Sequence, residues 1–182
     1  MLLINVIHIL GASGSGTSTL GKEIENKFNY VHLDVDDYFW LPTNPPFIKK
    51  RETEERKKLL MNDISSAKKC VITGSLCGWG DVFIPIFDLI IRIEIPTEIR
   101  IERIKQREYE RFGDRILYGG DMYESHKKFL EWSKSYDSAD INSRSKILHD
   151  CWLKNIHCKK NVIDGTKPLV EKINLIESII KQ

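Results

Sequence analysis

Apolar residues along this chain follow two alternating rhythms: short unbroken runs, and longer stretches in which they return every three or four positions. Residues 2–10 (LLINVIHIL) form a continuous run, the pattern of a strand buried on both faces. Leu20, Ile24 and Phe28 then recur at four-residue spacing and predict a helix over 17–28. A second strand is expected at 30–37, where YVHLDVDD ends in acids. LPTNPPF (41–47) excludes regular structure, because proline restricts both itself and its predecessor. A helix over 51–67 turns Leu59, Leu60 and Ile64 inward. A third strand falls at 70–75 and a fourth at 87–96, stopped by Pro96. A helix over 97–112 follows. The polar and aromatic stretch 113–158 predicts two further helices around a loop at 113–121. A fifth strand and turn at 161–168 lead into a last helix from about 169 to 181.

Strands alternating with helices predict a mostly parallel five-stranded sheet covered by helices, in one α/β domain spanning 1–182. In such sheets ligands bind beyond the carboxyl ends of the strands. The glycine and polar clusters fall there: Gly11–Ser18, Asp34–Asp37, Gly74–Gly80 and Asp164–Pro168.

Composition changes this picture little. The chain has 182 residues, 41% hydrophobic and 30% charged, with a net charge of +2, so no global footprint for nucleic acid or an acidic membrane is present. No apolar run approaches the ~18 residues of a membrane span. The N-terminal run lacks a basic flank and a small-residue cleavage site, so a cytoplasmic protein is expected, monomeric or a homodimer. Four cysteines without a Cys-x-x-Cys pair read as reduced thiols. HDCWLKNIHC (149–158) clusters His149, Cys151, His157 and Cys158. Its seven-residue cysteine spacing would stack both thiols on one helix face, where burial is a simpler reading than zinc.

Chemistry concentrates in GASGSGTS (11–18). Gly11, Gly14 and Gly16 free successive N–H groups to point inward at phosphate oxygens. The helix that follows adds its positive end. Ser13, Ser15, Thr17 and Thr19 add small polar groups, and Ser18 holds the position whose hydroxyl touches Mg²⁺ in the motif G-x-x-x-x-G-K-[ST]. The motif's lysine is replaced by Thr17. Lys22 lies more than a helical turn further on and is no simple replacement. Carboxylates at a strand end next to such a loop can hold hydrated Mg²⁺ and accept the proton of an attacking hydroxyl. Asp34 fits the metal side, Asp36 the base, and Asp37 the acceptor side; a solvated, helix-capping turn is the plain alternative. Arg100, Arg103, Arg107 and Arg111 make one stripe on the helix over 97–112, with Arg115 beyond it. Glutamates interspersed among them allow a salt-bridged solvent face; beside a phosphate loop, a mobile lid aimed at a phosphoryl group is favoured. Lys49, Lys50 and Arg51 follow the proline loop and could clamp an anionic acceptor. Gly74 and Trp79 sit in GSLCGWGD, where an acceptor could approach the backbone or stack on the indole.

In combination, GASGSGTS, DVDD, GSLCGWG, RIERIKQRE and DGTKP resemble the P-loop kinases of small molecules: nucleoside monophosphate kinases, shikimate kinase and gluconate kinase. DDYFWLPTNPPF, GSLCGWGD and RFGDRI…GGDMYE resemble more narrowly a bacterial subgroup labelled adenylate-kinase-like, which also lacks the lysine. The resemblance covers nearly the whole chain. It implies a three-layer α/β/α P-loop NTPase fold with a helical lid, the lid and extra helices at about 113–158. It implies Mg²⁺–ATP bound at Gly11–Ser18 and Thr19, and phosphoryl transfer to a small-molecule acceptor such as a nucleotide or nucleoside. Asp36, Arg103 and Arg107 would then be catalytic, and Arg103, Arg107 or Lys50 would return the charge lost at Thr17. A nucleotide sensor that closes on ATP without chemistry is the rival, favoured by the loss of lysine. A partner-binding protein would leave the glycine loops unexplained.

Overall fold

In the computed structural model, residues 4–181 are described. The expected strand at 2–10 is β1 (Val6–Gly11); its first residues, 2 and 3, lie outside the described residues. β2 (Val31–Asp34), β3 (Cys70–Thr73), β4 (Leu89–Glu94) and β5 (Lys159–Asp164) complete a five-stranded sheet in the order β2-β3-β1-β4-β5. Every strand pair is parallel, so the "mostly parallel" expectation is met in full.

Alternation along the strands builds two cores. Ile7 and Ile9 of β1, with Leu89, Ile91 and Ile93 of β4, pack against α1 (Thr17–Phe28) and α7 (Leu169–Ile180) through Leu20, Ile24, Ile173 and Ile176. Leu10 and Ile90 turn to the opposite face, meeting Leu60 and Ile64 of α3 (Thr53–Ser66) and Trp152 of α6 (Lys146–Lys154). Each such aliphatic side chain contributes about 1.5–3 kcal/mol when fully buried. α4 (Thr97–Phe112) passes the loop after β1, where Arg100 and Ile104 meet Gly14, and α5 (Tyr123–Lys134) packs on it.

Four expectations need correction. Leu59 of α3 is exposed, while Leu60 and Ile64 face the core as expected. The second strand stops at Asp34, and Val35–Phe39 forms a short helix, α2, because the Asp34 carboxylate accepts from the Asp36 amide at 3.1 Å and caps it. Cys151 and Cys158 do not stack on one helix face, since α6 ends at Lys154; both thiols are half-buried and free. The arginines of α4 do not act as one stripe. Arg100 is buried, with Nη2 bonded to Asp137 at 2.9 Å and Thr97 at 2.7 Å, and Nη1 to the Ser133 carbonyl at 3.1 Å. Arg111 lies exposed over the rings of Phe47 and Phe112. The chain between them spans several helical turns, so the four guanidinium groups meet different neighbours. Among the described residues, no helix is long and apolar enough to cross a membrane.

Candidate active site

The loop Gly11–Thr17 leaves β1 at the centre of the sheet, where β3 lies on one side and β4 on the other. Gly14 (φ 79°) and Gly16 (φ 92°) take left-handed conformations that bend it into a cradle. At Gly14 a side chain is also excluded by space, since a Cβ would lie 2.6 Å from the Arg100 carbonyl oxygen of α4. Gly16 caps α1 without any side-chain acceptor on the first-turn amides, leaving those donors for an anion. Ser13, Gly14, Gly16 and Thr17 are half-buried and Ser18 and Thr19 exposed, while Ser15 is buried with its hydroxyl unpartnered.

Ser18 Oγ donates to Asp34 Oδ2 at 2.6 Å, joining the start of α1 to the end of β2. These two hard oxygens suit Mg²⁺, and they are the pair the sequence singled out. Asp36 is exposed in the first turn of α2. Its carboxyl is pushed above the usual range, first by desolvation and then by the Asp34 charge, while Arg144 and Arg107 oppose the shift. Asp37, exposed beside it, is raised by the same two causes, with His32 opposing. The Gly74 amide donates to the Ile9 carbonyl at 3.0 Å, holding the loop after β3 against β1.

Other expected residues are occupied elsewhere. Arg103 donates to the Gly165 carbonyl at 3.3 Å and ties α4 to the turn after β5. Arg107 is exposed and leans on its neighbour Glu108 at 3.1 Å, within electrostatic range of Asp36. Lys50 is exposed, over the Phe39 ring, where its backbone bridges Trp40. Arg51 donates to the Tyr38 carbonyl at 3.0 Å and to Glu55 at 2.8 Å, a structural engagement. Trp79 is 6% exposed and packs edge-on against Phe83, so its ring is core and offers no open stacking face. Lys22 pairs with Glu25 at 2.6 Å on the exposed side of α1.

One residue escaped sequence reasoning, and another that the sequence singled out has partners it did not show. Arg144, in the loop before α6, sends Nη2 to Ser13 Oγ at 2.7 Å while its guanidinium lies 4.4 Å from the Trp132 ring centre. His149 bonds Ser75 Oγ at 3.0 Å through Nε2 and Tyr136 OH at 2.8 Å through Nδ1. Burial lowers its pKa to about 3, so the ring stays neutral, with one nitrogen donating and the other accepting. Arg144 belongs to no local motif, and for His149, singled out within HDCWLKNIHC, only the contacts across the fold reveal its partners. Beside the loop, a cavity of about 440 Å³ is lined by Ala12, Arg92, Glu94, Arg100 and Lys146, with Arg92 already closed by Asp150 and Arg100 by Asp137.

Comparison with known proteins agrees with this geometry. A family model described as an AAA domain matches residues 7–116, from β1 through the end of α4. A Bacillus subtilis protein called "Uncharacterized protein YqaC" is 43% identical over 170 residues, 93% of this chain and 94% of that protein. A cytidylate kinase of Pyrococcus furiosus is 31% identical over 113 residues, 57% of each chain. Among solved structures, a shikimate kinase from Bacteroides thetaiotaomicron superposes with a TM-score of 0.58 at 14% identity, covering 98% of this chain and 99% of its own. A deoxyadenosine kinase from M. mycoides gives 0.56 at 15% identity, covering 97% and 100%. The parallel sheet, the glycine cradle at its centre and the span of the family match together lead to one conclusion: the chain belongs to the AAA domain family and shares the fold of those small-molecule kinases.

Proposed function

We propose that the protein is an ATP-dependent phosphotransferase that moves the γ-phosphoryl group of Mg²⁺–ATP to a small-molecule acceptor, with nucleosides and nucleotides as the first candidates. The observation that carries this reading is the joining of the phosphate cradle to the acidic strand end through the Ser18–Asp34 hydrogen bond at 2.6 Å. Main-chain amides of 13–18 would receive the phosphates. Ser18 and Asp34 would hold Mg²⁺, which when bound neutralises charge on the phosphate oxygens. Asp36, with its raised pKa, is the base: an acceptor hydroxyl forms the new O–P bond, the bond from the γ-phosphorus to the bridging oxygen breaks, ADP departs, and Asp36 takes the hydroxyl proton. Arg107, within electrostatic range of Asp36, is the lid cation facing this region, and Arg103 fixes the turn after β5. Asp37, Lys50 and the loop at Gly74 would line the acceptor side, with Arg51 fixing the backbone beneath them.

The test is ADP formation from ATP across a panel of nucleosides, nucleoside monophosphates and small hydroxy acids. Acceptor-dependent ADP is the expected result. ATP binding with no acceptor active anywhere in the panel would sink the kinase reading and favour a nucleotide sensor, which the threonine at 17 supports.

A further inference from the structure

The cradle retains its glycines and its helix but has Thr17 where the motif places a lysine. Thr17 brings no charge, and the cations expected to compensate are engaged elsewhere: Arg103 on Gly165, Arg107 leaning on Glu108, Lys50 over Phe39. Two other guanidinium groups reach Ser13. Arg100 approaches its carbonyl at 3.5 Å, but the Arg100 charge is closed by Asp137 at 2.9 Å. Arg144 donates to the Ser13 hydroxyl at 2.7 Å and, among the described residues, has no carboxylate in ion-pair contact.

The setting of Arg144 is that of a held cation without its anion. Its plane rests by the Trp132 indole, which restricts the side chain without neutralising it. Desolvation weakens its hold on the proton, and the nearby Asp36 charge strengthens it. A partly desolvated guanidinium bonded to one neutral hydroxyl is costly unless an anion arrives. Most of its five donors remain for that anion, and the amides of the loop wait beside it.

We propose that Arg144 replaces the missing P-loop lysine: its guanidinium, delivered from the far end of the chain onto Ser13, supplies the positive charge that holds the β- and γ-phosphates of a nucleotide in the 11–18 cradle. This assignment rests on the nucleotide-binding reading above. It adds that the charge comes from outside the motif, and that Trp132 and Ser13 position it. A planar fork suits this task, since it can hold a phosphate oxygen and the Ser13 hydroxyl together where an ammonium would be a single point.

Calorimetric titration with Mg²⁺–ATP, Mg²⁺–ADP, inorganic tripolyphosphate and adenosine tests it on the full chain. Arg144→Ala should weaken ATP and tripolyphosphate by about ten- to a hundredfold, the range for a charged hydrogen bond, and leave adenosine unchanged. Arg144→Met, which keeps the stem beside Trp132, should lose the same affinity, and it stands in if the alanine variant fails to fold. Adding Thr17→Lys to either variant should recover most of the loss. Unchanged ATP binding in a folded Arg144 variant, or no recovery with Thr17→Lys, would overturn the assignment while leaving nucleotide binding intact. A wild-type protein that binds none of the phosphate probes would remove both readings together.

Discussion

Asp36 shows how one residue's surroundings select its chemistry. It is solvent-accessible, yet desolvation by the surrounding protein and the Asp34 charge raise its pKa, which brings a carboxylate closer to the strength a general base requires. Asp36→Asn should lower turnover about 10²- to 10⁴-fold while Mg²⁺–ATP still binds, which steady-state kinetics and titration together would read. The base must be ionised, so activity should fall as pH drops through the carboxyl's pKa in the nucleotide-loaded enzyme. Turnover at the wild-type rate in the Asp36→Asn variant would exclude the role. Ser18 and Asp34 stand out in the sequence because each belongs to a local pattern, and the fold brings their side chains into contact. Arg144 does not: nothing in NSRSK marks an arginine that docks on a serine 131 positions earlier.

Among the elements, α1 is where pattern and structure agree best; the expected 17–28 is the observed Thr17–Phe28. Its apolar stripe and Gly16 fix both its face and its start. The pattern did not show how closely α1 approaches the sheet. Gly21 has no room for a Cβ, which would lie 2.4 Å from Thr73 Cγ2 and 2.7 Å from the His32 ring. Gly21→Ala should therefore destabilise the protein by about 1–3 kcal/mol despite alanine's higher helix propensity, measured by chemical denaturation. A neutral or stabilising result would mean that α1 can shift away from β3. The second strand was overrun because alternation in YVHLDVDD continues past the point where Asp34 turns from strand residue to helix cap. Periodicity carries no sign of that switch, since the acids that suit a strand end also suit a cap. The arginine spacing on α4 was read correctly as helical, but spacing alone does not say that Arg100 is a buried strut.

Across the whole molecule, two buried histidines tie stability to pH. Burial lowers His8 to about 4 and His149 to about 3, whereas in the unfolded chain both titrate near 6.5. Between those values the unfolded state binds more protons, so stability is full above pH 6.5 and declines as pH falls toward 3. The melting midpoint should drop between about pH 7 and about pH 5, and His149→Gln should make that slope shallower. A wild-type midpoint flat over this range would contradict the neutral burial of both rings. The His149 network also joins the segment around Tyr136 to the loop after β3, holding in place the stretch that carries Arg144. When the motif has its lysine, cradle and charge are encoded within about eight neighbouring residues and arrive together during synthesis. Here the glycines at 11–16 precede the guanidinium at 144 by well over a hundred residues, so a nascent chain holds a cradle without that charge until the segment carrying Arg144 has been made and folded back. Loosening anything between Trp132 and Ser145 would discharge the loop without touching it, making grip on a polyphosphate a report on the completeness of the entire fold.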